Sequence, residues 1–504
     1  AVIEIGSTGI RLLVAEITAD KKRNILDRSE LPVSIGRDVF TQGFISRESI
    51  VSCLQIMKRF AEQLSAWGIL PSETTVLGTS AVREAANRDP FVDRIKIKTG
   101  FIVRVIDGIE ENRLMYIAVW DCLKEESLSV QQSDSIILEI AGGTTEMMLM
   151  EKGRMVGAHS FRLGTVIIEQ QMRSMLGTLE DAERFIEEFI SSTKVQLSTE
   201  MSLSKIKQFI AVGGDMKVVS LFAGKSITPF LWQIERNDFF AFVDEVLHCT
   251  IEEVVARFKM TYSDAQSFQI SLLSYRQFIM LTNVQNIIVP ETSLREGVLI
   301  SLMAEPEAEL QKEFNAQIAA SATTLLKKYQ GDVRHAMYVR DMSLRIYDAM
   351  QMEHGFDPKV RLLLEISAIL HDIGVFIQPK DHNVHSRYII SHSEIFGLSS
   401  DDKSLVAQIA LYHRGTEVPQ NNPEFRMLPR ESRMIILKLS AILRVADALD
   451  RGHQQKLANF TINFAKDSIT FRVHGHTNLN LERLALEEKD SMFENVFGYK
   501  VVLV

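Results

Sequence analysis

The sequence predicts an α/β protein of several domains whose second half passes into an all-α module and ends in a small α/β cap. Three observations carry this. Twice an apolar run enters a turn of glycine and hydroxyl residues: Val2–Ile5 leads into Gly6-Ser7-Thr8-Gly9, and Ser135–Ile140 leads into Ala141-Gly142-Gly143-Thr144-Thr145. Strand-like and helix-like runs alternate from there to about residue 300. From about 312 to about 456 the pattern is long amphipathic helices alone.

Composition bounds what such a chain can do. At 504 residues, 46% hydrophobic and 24% charged, it can bury several cores. No apolar run approaches the roughly 20 residues that span a bilayer, and the N-terminus lacks a basic-then-apolar leader, so a cytoplasmic protein without a membrane partner is expected. Cys53, Cys122 and Cys249 are odd in number and show no paired spacing, which argues against a disulfide framework or a thiolate metal site. The net charge of −9 argues against nucleic acid as a specific partner, although a polyanionic substrate can still enter a local basic groove.

The two turns have the local chemistry of phosphate sites. Glycines let backbone N–H groups approach an anion without a Cβ in the way, and Thr144 and Thr145 offer hydroxyls. Each turn also has an acid just before it, Glu4 and Glu139. A carboxylate beside a polyphosphate is useful mainly with Mg²⁺ or water between them. A plain strand–turn–strand hairpin explains either turn by itself; two matching ones favour a duplicated phosphate loop.

Between the loops, Ile50, Leu54, Met57, Ala61 and Leu64 recur at helical spacing, with Ser46 able to cap the start and Gly68 to end the helix. Thr74–Leu77 reads as a strand leading to Gly78-Thr79-Ser80, a hydroxyl-rich turn that opens a helix carrying Arg83. Such an N-terminus attracts phosphate, although surface pairing is the commoner fate of one Arg. Phe101–Ile106 is a strand, followed by a helix whose first turn holds Glu110 and Glu111. Beyond the second loop, Thr178–Ser191 reads as a helix and Ile210–Asp215 as a third strand-to-glycine turn. Ile287–Pro290 closes this half, and the acidic stretch from Ala304 to Glu309 reads as a linker.

Ile5-Gly6-Ser7 with Arg11, Thr79–Ala85 with Asn87, Glu110-Glu111 with Arg113, Gly142–Glu146 and Ser293–Gly297 resemble, in this order and spacing, the exopolyphosphatase/guanosine pentaphosphate phosphatase (Ppx/GppA) family of the actin and sugar kinase superfold. The resemblance implies two ribonuclease H-like α/β domains, about 1–125 and 126–300, with the active site in the cleft between them. It implies Glu111 as catalytic base and places Glu146 with it. It further implies phosphate binding by Gly6, Ser7, Thr8, Arg11, Ser80, Arg83, Gly142, Gly143, Thr144 and Thr145, a divalent metal at Glu4 and Glu139, and a homodimer. The family usually has Asp where this chain has Glu4 and Glu139, and Gly where it has Ala141, so a shift from Mg²⁺ toward Mn²⁺ is expected.

Ten of the twelve histidines lie between His335 and His476, which implies a second, histidine-using domain. His335, the pair His371-Asp372 and Asp447 stand in the order H…HD…D, which resembles the HD superfamily. That resemblance implies a divalent metal held between helices over about 312–456, with His385 and His413 as extensions. Retention of the quartet for structure alone is the competing reading. Thr461–Phe464, Ile469–Val473 and Lys500–Leu503 read as strands around a helix at about 479–492, forming the cap over about 457–504.

The expected function is therefore exopolyphosphatase activity, releasing orthophosphate from chain ends of inorganic polyphosphate. Guanosine pentaphosphate 5′-phosphohydrolase activity is the near alternative. A non-catalytic polyphosphate or nucleotide sensor that regulates the HD-type module is the more distant one.

Overall fold

The computed structural model describes the chain apart from residues 19–21, 125–132, 176, 304–308, 415–421, 458–459 and 474–477. Residues 304–308 of the expected linker, and His476, lie outside the described residues. The chain forms two compact units, Ala1–Leu310 and Gln311–Val504.

The first unit holds two mixed sheets. In the five-stranded sheet the order is Arg23–Pro32, Gly9–Ile17, Val2–Ile5, Thr75–Gly78 and Val103–Val105. In the seven-stranded sheet it is Gly224–Thr228, Leu231–Glu235, Asn286–Pro290, Gln208–Val212, Ser135–Ile140, Thr145–Glu151 and Arg154–Phe161. The strands that enter the two loops occupy the same topological place. Val2–Ile5 runs antiparallel to Gly9–Ile17 and parallel to Thr75–Gly78. Ser135–Ile140 runs antiparallel to Thr145–Glu151 and parallel to Gln208–Val212. Each loop thus caps a buried central strand, which explains why both strands are nearly continuous apolar runs. The expected strand at Phe101–Ile106 is shorter, Val103–Val105.

Helix Arg47–Ala66 forms as its periodicity predicts. The Ser46 hydroxyl accepts from Ser49 N, and Ile50, Cys53, Met57, Phe60 and Leu64 form the buried face. Helix Leu294–Met303 follows the last strand of the second sheet but packs back on the first. Its Leu294, Val298 and Leu299 join Val2, Leu13, Leu77 and Leu114 in one apolar cluster. Gly297 makes this possible, because a Cβ there would lie 2.1 Å from the Leu114 carbonyl oxygen.

Among its described residues the second unit is helical up to Ala448 and ends in a three-stranded sheet. Phe460–Phe464 pairs antiparallel with Ser468–Val473, which pairs parallel with Lys500–Leu503. The helix expected at 479–492 is two helices, Asn480–Lys489 and Ser491–Phe497, separated at Asp490. Both pack on helix Arg430–Ala448.

Candidate active site

The two hairpin loops close in the same way. Gly6 N donates to Gly9 O at 3.0 Å, and Ala141 N donates to Thr144 O at 2.9 Å. They also face each other across the first unit. A Cβ on Gly142 would meet Ser7 Cβ at 2.9 Å, and one on Gly143 would lie 2.7 Å from Ser80 Oγ. The backbones approach this closely because neither position carries a side chain. Ser7 and Ser80, from the first loop and from the start of helix Ser80–Glu84, lie with their hydroxyls 3.3 Å apart. The structure therefore brings Gly6, Ser7, Thr8, Ser80, Gly142, Gly143 and Thr144 to one place.

Thr145 does not belong with them as a phosphate donor. Residues alternate faces along a strand, and Thr145, the first of its strand, points inward. It is fully buried and donates its hydroxyl to Leu163 O at 2.6 Å. Thr144 carries the available hydroxyl. Its Oγ1 is buried without a well-aligned hydrogen bond, yet lies close enough to Glu146 to favour that residue's ionised form.

Acids and guanidinium groups surround the loops. Glu111, in the first turn of helix Gly108–Leu123, is paired with Arg83, whose guanidinium also donates to Ile106 O at 2.6 Å. Burial pushes the Glu111 carboxyl above its ordinary range; Arg83 opposes this, and Glu4 and Asp107 add to it. Arg83 is therefore a partner of the candidate base and not a free anion ligand. Glu146 is 1% exposed and accepts from Asn112 Nδ2 at 2.8 Å and Ser160 Oγ at 2.7 Å. Burial and the neighbouring Glu111 raise its pKa as well.

Glu4 is held by two cations. Arg11 Nη1 lies 3.2 Å from its Oε1, and Arg295 Nε lies 3.5 Å from its Oε2. Arg11 also reaches Glu30 at 2.8 Å and the Thr8 hydroxyl at 3.2 Å, so its expected contact with phosphate would require leaving these partners. Arg295 is a site residue the sequence reading missed, although it lies in a quoted segment. Glu139 differs. Burial and the charges of Glu4 and Glu111 raise its pKa to about 7, and Arg11 and Arg295 oppose this only in part.

The donor set suits a hydrated ion better than a closed cage. Among the described residues, groupings of three His, Cys, Asp or Glu ligand atoms within 4.8 Å occur only in the second unit. Mg²⁺ commonly keeps several waters and takes one or two carboxylates plus substrate phosphate, and Glu139 supplies an under-compensated negative charge for such an ion.

In the second unit the expected quartet does converge. Asp447 Oδ1 lies 3.5 Å from His335 Nε2 and 3.8 Å from His371 Nε2; Asp372 Oδ2 lies 3.8 and 3.6 Å from the same two nitrogens. His413 also faces Asp372, at 3.5 Å. The other neighbour is not His385 but His382, at 3.0 Å.

The described fold and loops agree with the sequence comparisons. The model of the Ppx/GppA phosphatase family matches residues 13–305, and that of Ppx/GppA phosphatase domain III matches residues 319–494. The chain belongs to the Ppx/GppA phosphatase family. As such it is a hydrolase of phosphoric anhydrides. It is similar to the guanosine-5′-triphosphate,3′-diphosphate pyrophosphatase of Photobacterium profundum, 23% identical over 93% of this chain and 90% of that one. The protein of the same name from Vibrio vulnificus is 23% identical, covering 100% and 97%. Among solved structures, an exopolyphosphatase from Cytophaga hutchinsonii matches with TM-score 0.54 and 23% identity, over 60% of this chain and 96% of that one, which supports the fold of this Ppx/GppA member. No helix among the described residues is long and apolar enough to cross a membrane.

Proposed function

We propose that this Ppx/GppA phosphatase removes the terminal 5′ phosphate of guanosine pentaphosphate by attack of water in the cleft between the two loops. The observation that carries the chemistry is the meeting of Ser7, Ser80, Gly142 and Gly143, with Glu111 paired to Arg83 of the helix that Ser80 opens. The terminal phosphate sits against the backbone N–H groups of the loops and the hydroxyls of Ser7, Ser80 and Thr144. Glu111, oriented by Arg83, takes the proton from the attacking water. Glu4 and Glu139 are the residues placed to hold a divalent ion, which neutralises charge on the substrate phosphates when bound. Glu146, held by Asn112 and Ser160, feels the charge of Glu111, which together with burial raises its own pKa.

The choice of substrate rests on relatives that align over nearly the whole chain and bear guanosine pentaphosphate hydrolysis in their names. This reverses the order expected from sequence, which put polyphosphate first. Polyphosphate remains the second reading because the loop residues address terminal phosphates and not a base. Orthophosphate release from guanosine pentaphosphate, long-chain polyphosphate and ATP, measured side by side, tests the proposal. Higher kcat/KM for guanosine pentaphosphate supports it, higher kcat/KM for polyphosphate restores the original order, and no release from either refutes the cleft as a hydrolytic site.

A further inference from the structure

A cavity of about 480 Å³, within the size range of small-molecule sites, lies beside helix Thr165–Met175, the helix that leaves the second phosphate loop. Helices Leu179–Glu200, Ile251–Phe258 and Tyr262–Met280 complete its walls. Met172, Leu179, Ile251 and Ile270 make those walls aliphatic, and Glu169, Arg173 and Gln269 add polar groups to them. The proposed hydrolysis uses none of these residues.

Two acceptors on buried residues face this space unsatisfied. Glu169 is 5% exposed, and its ion pairs with Arg37 at 3.1 Å and Arg173 at 2.6 Å both use Oε1, so Oε2 receives no hydrogen bond from the described residues. Gln269 is also 5% exposed. Its Nε2 donates to the carbonyls of Val246 and Cys249, both at 3.1 Å, which fixes the amide and leaves Oε1 without a donor among the described residues. Neither oxygen is sealed inside the protein, so each opens on the cavity that its residue lines. Arg173 brings the complementary charge: it engages Glu169 and Gln266 through Nη2 alone, and its side chain is 55% accessible. Buried acceptors that lack a donor are costly, and a guanidinium grips a carboxylate through two parallel N–H bonds. A ligand ammonium supplies the donors, a ligand carboxylate engages Arg173, and aliphatic walls take a branched apolar side chain out of water. Nucleobases are held by stacking on aromatic rings, and the walls named here carry none.

We propose that this cavity is an effector site for an aliphatic α-amino acid, bound as the zwitterion with its ammonium on Glu169 Oε2 and Gln269 Oε1 and its carboxylate on Arg173. Glu169 couples the cavity to both phosphate loops. Its helix starts on the second loop, where Thr165 N donates to Ala141 O at 3.0 Å and Val166 N to Gly142 O at 2.9 Å. Its Oε1 holds Arg37 of helix Ile35–Gln42, and that helix is tied to the first loop by Gly36 N, which donates to Ser7 O at 2.8 Å. Gln170 Nε2 completes the bridge by donating to Arg37 O at 2.9 Å. An ammonium at Glu169 competes with Arg37 for the same carboxylate, so the amino acid favours the arrangement in which the bridge between the loops is loosened. Substrate affinity then falls when the cavity is filled. This coupling rests on the phosphatase reading, whereas the binding site does not.

The test uses the full chain carrying Glu111→Gln, so that no substrate is consumed, and counts bound radiolabelled L-leucine by equilibrium dialysis. We expect one leucine per chain. The competitors 4-methylpentanoate, which lacks the ammonium, and 3-methylbutylamine, which lacks the carboxylate, should each bind weaker than leucine by about tenfold or more. Arg173→Met, a change at an accessible side chain, should cost leucine affinity by a similar factor, with circular dichroism confirming the fold. Saturating guanosine pentaphosphate should weaken leucine binding by about fivefold or more, because coupling between two sites is reciprocal. A titration of the nucleotide alone shows whether the loop site fills, so a failure of the phosphatase reading is seen separately. Absence of binding by leucine, isoleucine, valine and methionine alike overturns the site, and guanosine bound there in their place makes it a nucleobase site. Competitors as tight as leucine overturn recognition of the zwitterion. Leucine affinity unchanged by bound nucleotide overturns the coupling.

Discussion

Glu139 stands directly across the second hairpin from Glu146, whereas the equivalent position of the first hairpin sets Arg11 across from Glu4. The duplicated loops are therefore electrostatically unequal. The first carries its own counter-charge; the second places two acids opposite each other, an arrangement that is unfavourable unless something neutralises it. A divalent ion would neutralise the second pair, and protons would do so in its absence.

Metal-free stability should report this. The Glu139 carboxyl titrates at about 7 in the fold, above its ordinary range, so the fold favours its protonated form. That contribution is fully present below the unfolded pKa and is lost as pH rises through about 7. We expect Glu139→Gln to raise Tm relative to the wild-type chain at about pH 8 and to make little difference at about pH 4, with saturating Mg²⁺ narrowing the gap at the higher pH. Thermal melts with and without EDTA check it; equal wild-type and variant Tm at both pH values would contradict the assignment.

Arg83 lowers the pKa of Glu111 by charge and hydrogen bond. Removing it raises that pKa, so the basic form appears only at higher pH. In Arg83→Ala the acid limb of the pH–kcat profile should move to the alkaline side. A fall in kcat without any displacement of the limb would place Arg83 on substrate instead of on Glu111.

Glu4 and Glu139 are each one methylene longer than the Asp usual at these positions in the family. Mg²⁺ demands octahedral oxygens at roughly 2.0–2.1 Å and tolerates displacement poorly. The Glu4→Asp/Glu139→Asp double variant should raise turnover with Mg²⁺ relative to Mn²⁺. Metal titrations of kcat for both proteins measure the ratio, and an unchanged ratio would remove these residues from the ion site.

The adjacent threonines should separate cleanly. Thr145→Val leaves the Leu163 carbonyl without its donor and should cost about 1–3 kcal/mol of stability with little change in KM. Thr144→Val should instead raise KM with little change in urea midpoint. The reverse pattern would exchange their roles.

The loops and their acids were legible because local sequence determines them, a glycine turn after an apolar strand; Glu111 was singled out only through the family resemblance, since acids in the first turn of a helix ordinarily just complement its dipole. The inward turn of Thr145 follows from strand alternation, but only once the strand's starting residue is known. Arg295 on Glu4 joins residues from opposite ends of the first unit, and no local pattern announces such a pair. His382 was missed in favour of His385 because both lie in one helical run. The deciding feature is where that helix starts, after Asp381 in the left-handed conformation at φ 55°, an uncommon backbone state for Asp that the surrounding residues do not signal.

The central claim is that Glu111 is the base of a phosphoanhydride hydrolase. Glu111→Gln preserves size but cannot accept the proton of the attacking water. Single-turnover phosphate release from guanosine pentaphosphate should fall by about 100-fold or more, while equilibrium binding of the nucleotide and Tm stay near wild type. Near-normal release by the folded variant would contradict the account.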